Sequence, residues 1–198
     1  MKKNNVIKII IIIFTVSLLF IILISTCVHI HRVKVKRQEA HVKEKAIGNA
    51  SKNGYSIQFD DEKTFCYEED GVKYYFCIEA SGICFDKCEY NVVEDGVEVK
   101  EGEIIITIRD AGDDNVNVGY YDTRVIVLDD GTERDRWSIG YFISNKDYEE
   151  NSLEPNYFVP DGEFKMEQDY KTIMKFTTVE DLDEHYNKAL SICNRLNE

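Results

Sequence analysis

Three hydrophobic periods follow one another along the chain. The first has no period at all. Residues 9–28 carry no charge, and 9–14 and 18–24 are apolar without a break. The core helix of a water-soluble protein would show a polar stripe at helical spacing, and this run has none. Its interior polar residues, Thr15, Ser17, Ser25 and Thr26, are small hydroxyls able to bond back to their own helix. Twenty residues at about 1.5 Å each span about 30 Å, the thickness of a bilayer hydrocarbon core. The pattern predicts a transmembrane helix over 9–30, after a short basic tail over 1–8. A basic juxtamembrane stalk follows over 31–53, helical as far as the stop at Asn53-Gly54.

The second period is two. Tyr55, Ile57 and Phe59 alternate with polar residues, and 72–80 is rich in aromatic and branched side chains. Residues 103–109 hold Ile104, Ile105, Ile106 and Ile108, which reads as a strand covered on both faces. Residues 124–128 turn through Asp129-Asp130-Gly131 into 134–144, where Trp137, Ile139, Tyr141 and Ile143 share one face. Four Asp-Gly pairs, at 70, 95, 130 and 161, supply turns suited to antiparallel connections. A last strand is expected over 170–177, with Ile173 among its apolar members.

The third period is helical. Val179, Leu182, Tyr186, Ala189, Cys193 and Leu196 fall on one stripe, and Thr177-x-x-Glu180 has the form of a capping box. A stripe of that width needs a sheet to cover it. The fold class expected is therefore α+β: an N-terminal transmembrane helix, then a domain over 54–198 with a mostly antiparallel sheet packed by a C-terminal helix.

Charge sharpens this division. Residues 1–45 hold nine basic and two acidic residues, a net +7, and the remaining 153 hold 15 basic and 35 acidic, a net −20. So acidic a body argues against nucleic-acid binding, which depends on Lys and Arg neutralising phosphates. Three fates are open to the apolar helix. The segment after it lacks the small-residue exit of a cleaved signal peptide. Ile24-Ser25-Thr26-Cys27 resembles a lipobox and makes Cys27 a lipidation candidate, although Thr26 and Val28 depart from the pattern. An uncleaved signal-anchor is favoured. For orientation, Arg32, Lys34, Lys36 and Arg37 outnumber Lys2, Lys3 and Lys8, which alone would hold the body in the cytoplasm. The very short basic start before the apolar core, typical of export signals, favours a body outside the cell membrane.

Recognisable chemistry is sparse. Cys66, Cys77, Cys84 and Cys88 fall within 23 residues, a density that suits disulfides in an exported domain. Free buried thiols and a four-thiolate zinc site are the alternatives, and Cys193 reads as a small core residue. His185 is the one histidine of the body; it reads as a solvated helix residue, and any Ser-His-Asp or Cys-His catalysis would have to use it. No Gly-x-Gly and no Gly-Lys-Ser/Thr occurs, so nucleotide-binding fingerprints are missing and no cofactor is implied. Asp110, Asp113, Asp114, Asn115, Asn117 and Asp122 form an oxygen-rich segment read as a loop between strands, a weak Ca²⁺ candidate. The spacing departs from the EF-hand pattern.

The functional expectation is a single-pass membrane protein displaying an acidic, non-enzymatic binding domain at the cell surface. Its partners would be the bilayer through 9–30 and a cationic protein or ion. An envelope hydrolase using paired carboxylates and a Ca²⁺-responsive sensor are the alternatives.

Overall fold

The computed structural model describes residues 2–112, 115–145 and 170–198. It is an α+β fold, as the three periods predict. Helix α1 (Lys2–Asn53) runs unbroken for 52 residues, about 78 Å at helical rise. Then come β1 (Ile57–Phe59), β2 (Thr64–Glu69), β3 (Val72–Glu79), β4 (Gly82–Val92), β5 (Val99–Glu101), β6 (Ile104–Gly112), β7 (Asn115–Asp122), β8 (Val125–Val127), β9 (Glu133–Asp135), β10 (Ser138–Asn145) and the closing helix α2 (Val179–Asn197). Among the described residues, seven strands form one antiparallel sheet in the order β1-β2-β3-β4-β6-β7-β10, and β5-β8-β9 form a small second sheet.

The two ends of α1 live in different surroundings. Its apolar stretch is long enough to cross a membrane, and from Phe14 on the described residues bury none of it. Thr26 Oγ1 donates to the Ile22 carbonyl at 2.8 Å, the back-bonding expected of hydroxyls in such a run. Ala46 and Ala50, by contrast, are fully buried, with Val42 packed beside them. The last turns of the segment read as a stalk are thus core of the body. Gly54 ends the helix with a φ of 77°, where the Asn53-Gly54 stop was expected.

One face of the large sheet builds the core. Phe65, Tyr74, Phe76, Ile106, Ile108, Val118 and Phe142 pack against Leu182, Tyr186, Ala189, Ile192, Cys193 and Leu196 of α2 and against Ala46 and Ala50 of α1. The turn between β2 and β3 is built by Asp70 (φ 52°) and Gly71 (φ 80°); two successive positive φ values define the type I′ geometry that an Asp-Gly pair favours. At the other end of β3, Asn197 clamps α2 to the sheet. Its Oδ1 accepts from the Ile83 amide at 2.8 Å and its Nδ2 donates to the Ile83 carbonyl at 2.8 Å. Gly82 makes room for this clamp. Its φ is 151°, and a Cβ there would lie 2.7 Å from Asn197 Oδ1.

Several expectations are corrected. Residues 170–173 are a helical turn, not a strand: the Met174 and Thr177 amides donate back to Tyr170 and Ile173 at 3.0 and 3.2 Å. The capping box sits one residue later, with Thr178 as N-cap and Asp181 as its partner, because the Thr177 hydroxyl bonds to the buried Tyr90 hydroxyl at 2.6 Å. The expected hairpin exists only as β8 with β9; beyond it, β10 leaves for the large sheet and pairs with β7. Residues 115–122, read as loop, are the strand β7. β6 is covered fully on one face only, since Ile104, Ile106 and Ile108 are at 0% exposure while Ile105 is half-buried and Arg109 exposed. The Asp161-Gly162 turn lies outside the described residues.

Candidate functional site

The sheet face away from the helices carries the residues available for recognition. Alternation along β6, β7 and β10 sends Ile105, Thr107 and Arg109, then Asn117, Gly119 and Tyr121, then Ile139 and Tyr141 to this side. Register sets Tyr121 between Ile105 and Ile139, and Gly119 between Thr107 and Tyr141. Ile139 and Tyr141 are each 51% exposed, Tyr121 is 38% exposed, and neighbouring Trp137 is 74% exposed. The stripe Trp137, Ile139, Tyr141 therefore faces solvent, while Phe142 takes the core position. Large apolar side chains grouped in this way mark a contact surface more often than scattered exposed ones do.

Gly119 gives the patch a floor. A Cβ there would lie 2.9 Å from Thr107 Oγ1, so the missing side chain leaves a shallow depression of about 160 Å³ walled by Tyr121, Tyr141, Arg109 and Asn117. Toward β3, Tyr75 continues the aromatic surface with the Lys87 ammonium 4.6 Å from its ring centre. Lys87 also pairs with Glu89. Burial and the Glu89 charge push the Tyr75 hydroxyl up to about 12, so it is a neutral hydrogen-bonding group at any physiological pH.

A buried ion network ties the small sheet to the large one. Arg124, 3% exposed, grips both carboxylate oxygens of Asp122 through Nε and Nη2 at 2.8 Å, and its Nη1 donates to Glu94 at 2.8 Å. Arg136 adds a longer contact to Glu94 at 3.3 Å. Only the charge alternation around 122–136 hinted at this network.

This pairing bears on the calcium candidates. Asp122 is committed to Arg124 and pairs in register with Ile104, whereas Asp110 pairs with Val116 at the opposite end of β6. Six residues of strand separate the two ends, about 20 Å. Asp110 Oδ1 accepts from the Gly112 amide at 3.0 Å. Asn115 and Asn117 lie along β7, and Asp113 and Asp114 lie outside the described residues. Among the described candidates, Asp110 and Asp122 therefore do not share one site. Among the described carboxylates, Asp61, Glu69 and Asp130 are held below the usual range, Asp61 and Asp130 chiefly by hydrogen bonds to neighbouring backbone or hydroxyl groups and Glu69 by its bond to Lys188.

The cysteines divide between the faces. All of the candidates are free thiols. Cys88 is buried in the core with Cys193, so a four-thiolate zinc site with Cys66, Cys77 and Cys84 cannot close. Cys77 and Cys84 stand directly opposite each other on β3 and β4, and their sulfurs lie with a Glu79 oxygen within 4.8 Å of one another. Burial, then the Glu79 charge, pushes the Cys84 thiol up to about 11. This holds it protonated and unreactive. Cys27 is exposed on α1.

His185 is not solvated as expected. Its ring packs on Tyr90 with centroids 4.6 Å apart, and burial lowers its pKa from 6.5 against the opposing pull of Glu184 and Asp181.

Comparison of the chain with protein-family models, with curated proteins and with solved structures finds no match.

Proposed function

We propose that the chain is a single-pass membrane protein whose long N-terminal helix anchors an acidic domain outside the cell membrane, and that the open sheet face binds a basic segment of another protein. One observation carries the reading. Within one continuous helix, the apolar stretch from Phe14 on is buried by none of the described residues, while Ala46 and Ala50 are buried completely. A run of uncovered, largely apolar side chains from Phe14 to Val28 has no stable place in water.

The exposed Tyr121, Ile139, Tyr141 and Trp137 supply the contact surface. Aromatic anchors of this kind dominate binding energy at protein interfaces and attract cations over their ring faces. The net charge of −20 over 46–198 favours a cationic partner and speeds its approach, an effect that salt weakens.

Three measurements test the reading. The full-length chain should float with lipid vesicles, and protease added to intact cells should remove the body. A soluble full-length chain, or a body protected in sealed cells, would overturn the anchor or its orientation respectively. Captured basic protein should be lost from a Tyr121→Ala/Tyr141→Ala variant and reduced by salt. Undiminished capture would remove the sheet face from the proposal.

A further inference from the structure

Where α1 leaves the apolar run it passes alongside the β1–β2 turn without closing on it. The gap is a groove of about 590 Å³. Its floor is apolar, made by Val35, Ala40 and Ile78, and its rim is charged. Arg32, Lys36 and Lys43 come from the helix and Lys63 from the body, against the acids Glu39 and Glu62.

These cations are not equally engaged. Lys63 Nζ pairs with Glu39 at 2.7 Å. Lys43 Nζ donates to the Glu62 carbonyl at 3.1 Å and lies 4.0 Å from the centre of the Phe59 ring. Arg32 and Lys36 have no ion pair or hydrogen bond among the described residues. They are four apart, hence on one side of the helix, and both line the groove.

Depth gives the rest. The uncharged run ends at Val28, so Arg32 stands about 6 Å and Lys36 about 12 Å beyond it along the axis. The headgroup layer of a bilayer leaflet is about 5–8 Å thick. A helical side chain slants toward the N-terminus of its helix, so the Arg32 and Lys36 heads, each reaching several ångströms back from its own Cα, come to the level of that layer. We infer that this groove holds the phosphate of an anionic glycerophospholipid, gripped by Arg32 and Lys36, with the headgroup substituent reaching toward Lys63. An arginine fork suits a phosphodiester, and the apolar floor, which lies farther from the hydrocarbon than Arg32, suits the headgroup substituent of a lipid better than a fully hydrated ion. The inference rests on the membrane-anchored reading of the preceding subsection.

The test uses the full-length chain in nanodiscs of phosphatidylcholine alone or with phosphatidylglycerol, read by lipid retained on native mass spectrometry and by amide exchange over residues 60–64. Retention of phosphatidylglycerol over phosphatidylcholine is expected, on the order of tenfold, with slowed exchange in the 60–64 turn. Arg32→Gln/Lys36→Gln should abolish both effects. Exchange over β6 checks that this variant stays folded. Equal retention of the two lipids, or a preference unchanged in the variant, overturns the site. Glycerol phosphate added to phosphatidylcholine discs separates the sources: if it alone slows the turn as much, the ligand is a soluble phosphate and the lipid assignment falls. A chain that fails to enter discs or float with vesicles overturns the anchor and this site together, whereas one that floats without lipid preference overturns the site alone.

Discussion

The two faces of the seven-stranded sheet use similar residues for opposite ends. On the helix side, Phe65, Tyr74 and Phe76 are at most 1% exposed and belong to one core with the buried residues of α1 and α2. On the far side, Tyr121, Ile139 and Tyr141 stand at 38–51% exposure. Strand alternation makes both faces at once, and coverage by α1 and α2 decides which becomes core. The difference predicts that large truncations will cost folding on one face and binding on the other.

The largest effect is expected at Phe76. It is at 0% exposure, with its ring 5.5 Å from that of Phe65. Phe76→Ala should destabilise the body by about 3–5 kcal/mol, through lost burial and a cavity that the packed sheet cannot collapse. Denaturant unfolding measures it. A loss below about 1 kcal/mol would mean that the helix-side face is not the core.

Arg124→Met tests the same division at the joint between the two sheets. It leaves Asp122, a buried carboxylate, without its bidentate partner, at an expected cost of about 3–5 kcal/mol. Arg124→Met/Asp122→Leu should recover most of the loss, because the penalty comes from the stranded charge rather than from the missing pair. A double variant as unstable as the single would show instead that the network itself holds the small sheet in place.

How much of this was legible beforehand depended on how uniform each period is. The apolar half of α1 and the stripe of α2 announce themselves because nothing interrupts them. The longest strand among the described residues, β4, is not legible in the sequence: Ile83 and Phe85 alternate in one phase and Cys88 and Tyr90 in the other, since a bulge at Asp86 shifts the register between Tyr75 and Phe76 of its partner. β7 was hidden by composition. Asn115, Asn117 and Gly119 suggest a loop, although Val116, Val118 and Tyr120 do alternate inward. In β10 the aromatic stripe was visible but its direction was not, because alternation identifies two faces without saying which one a helix will cover. The crowding of cysteines over 66–88 likewise carried no information about faces, which separate Cys88 from the other three.

Gly82 offers a smaller test of how the helix side closes. Gly82→Ala forces a side chain into a φ of 151° and against Asn197 Oδ1, so about 1–3 kcal/mol of stability should be lost, with faster amide exchange at the end of α2. Gly82→Ala/Asn197→Ala separates the causes. If strain dominates, the clamp survives the first change and the second adds its own full cost; if Gly82→Ala already breaks the clamp, the second change adds little.

At His185 the comparison becomes pH-dependent. Burial beside Tyr90 lowers the pKa of the folded state below 6.5, opposed by Glu184 and Asp181 and aided by Lys188. Above about pH 6.5 both folded and unfolded chains hold the neutral ring and the residue adds no slope. As pH falls below that value the unfolded chain binds the proton first, so stability declines until the folded pKa is reached. His185→Gln should flatten this part of the melting profile. An unchanged slope would assign it to the carboxylates.

The smallest stability effect is expected where the functional claim is strongest. Tyr121→Ala and Tyr141→Ala remove large rings from the open face, yet each should shift unfolding by only about 0.5 kcal/mol or less, as surface substitutions usually do. The pair opposes across a depression rather than across a packed layer, and Gly119, which lies opposite Tyr141, has no side chain to lose contact with. If either variant destabilised the body as much as Phe76→Ala, the open face would be a second core and its aromatics would be structural. If stability held while capture of a basic protein was lost, the same kind of residue would be shown to fold the protein on one side of a single sheet and to bind on the other.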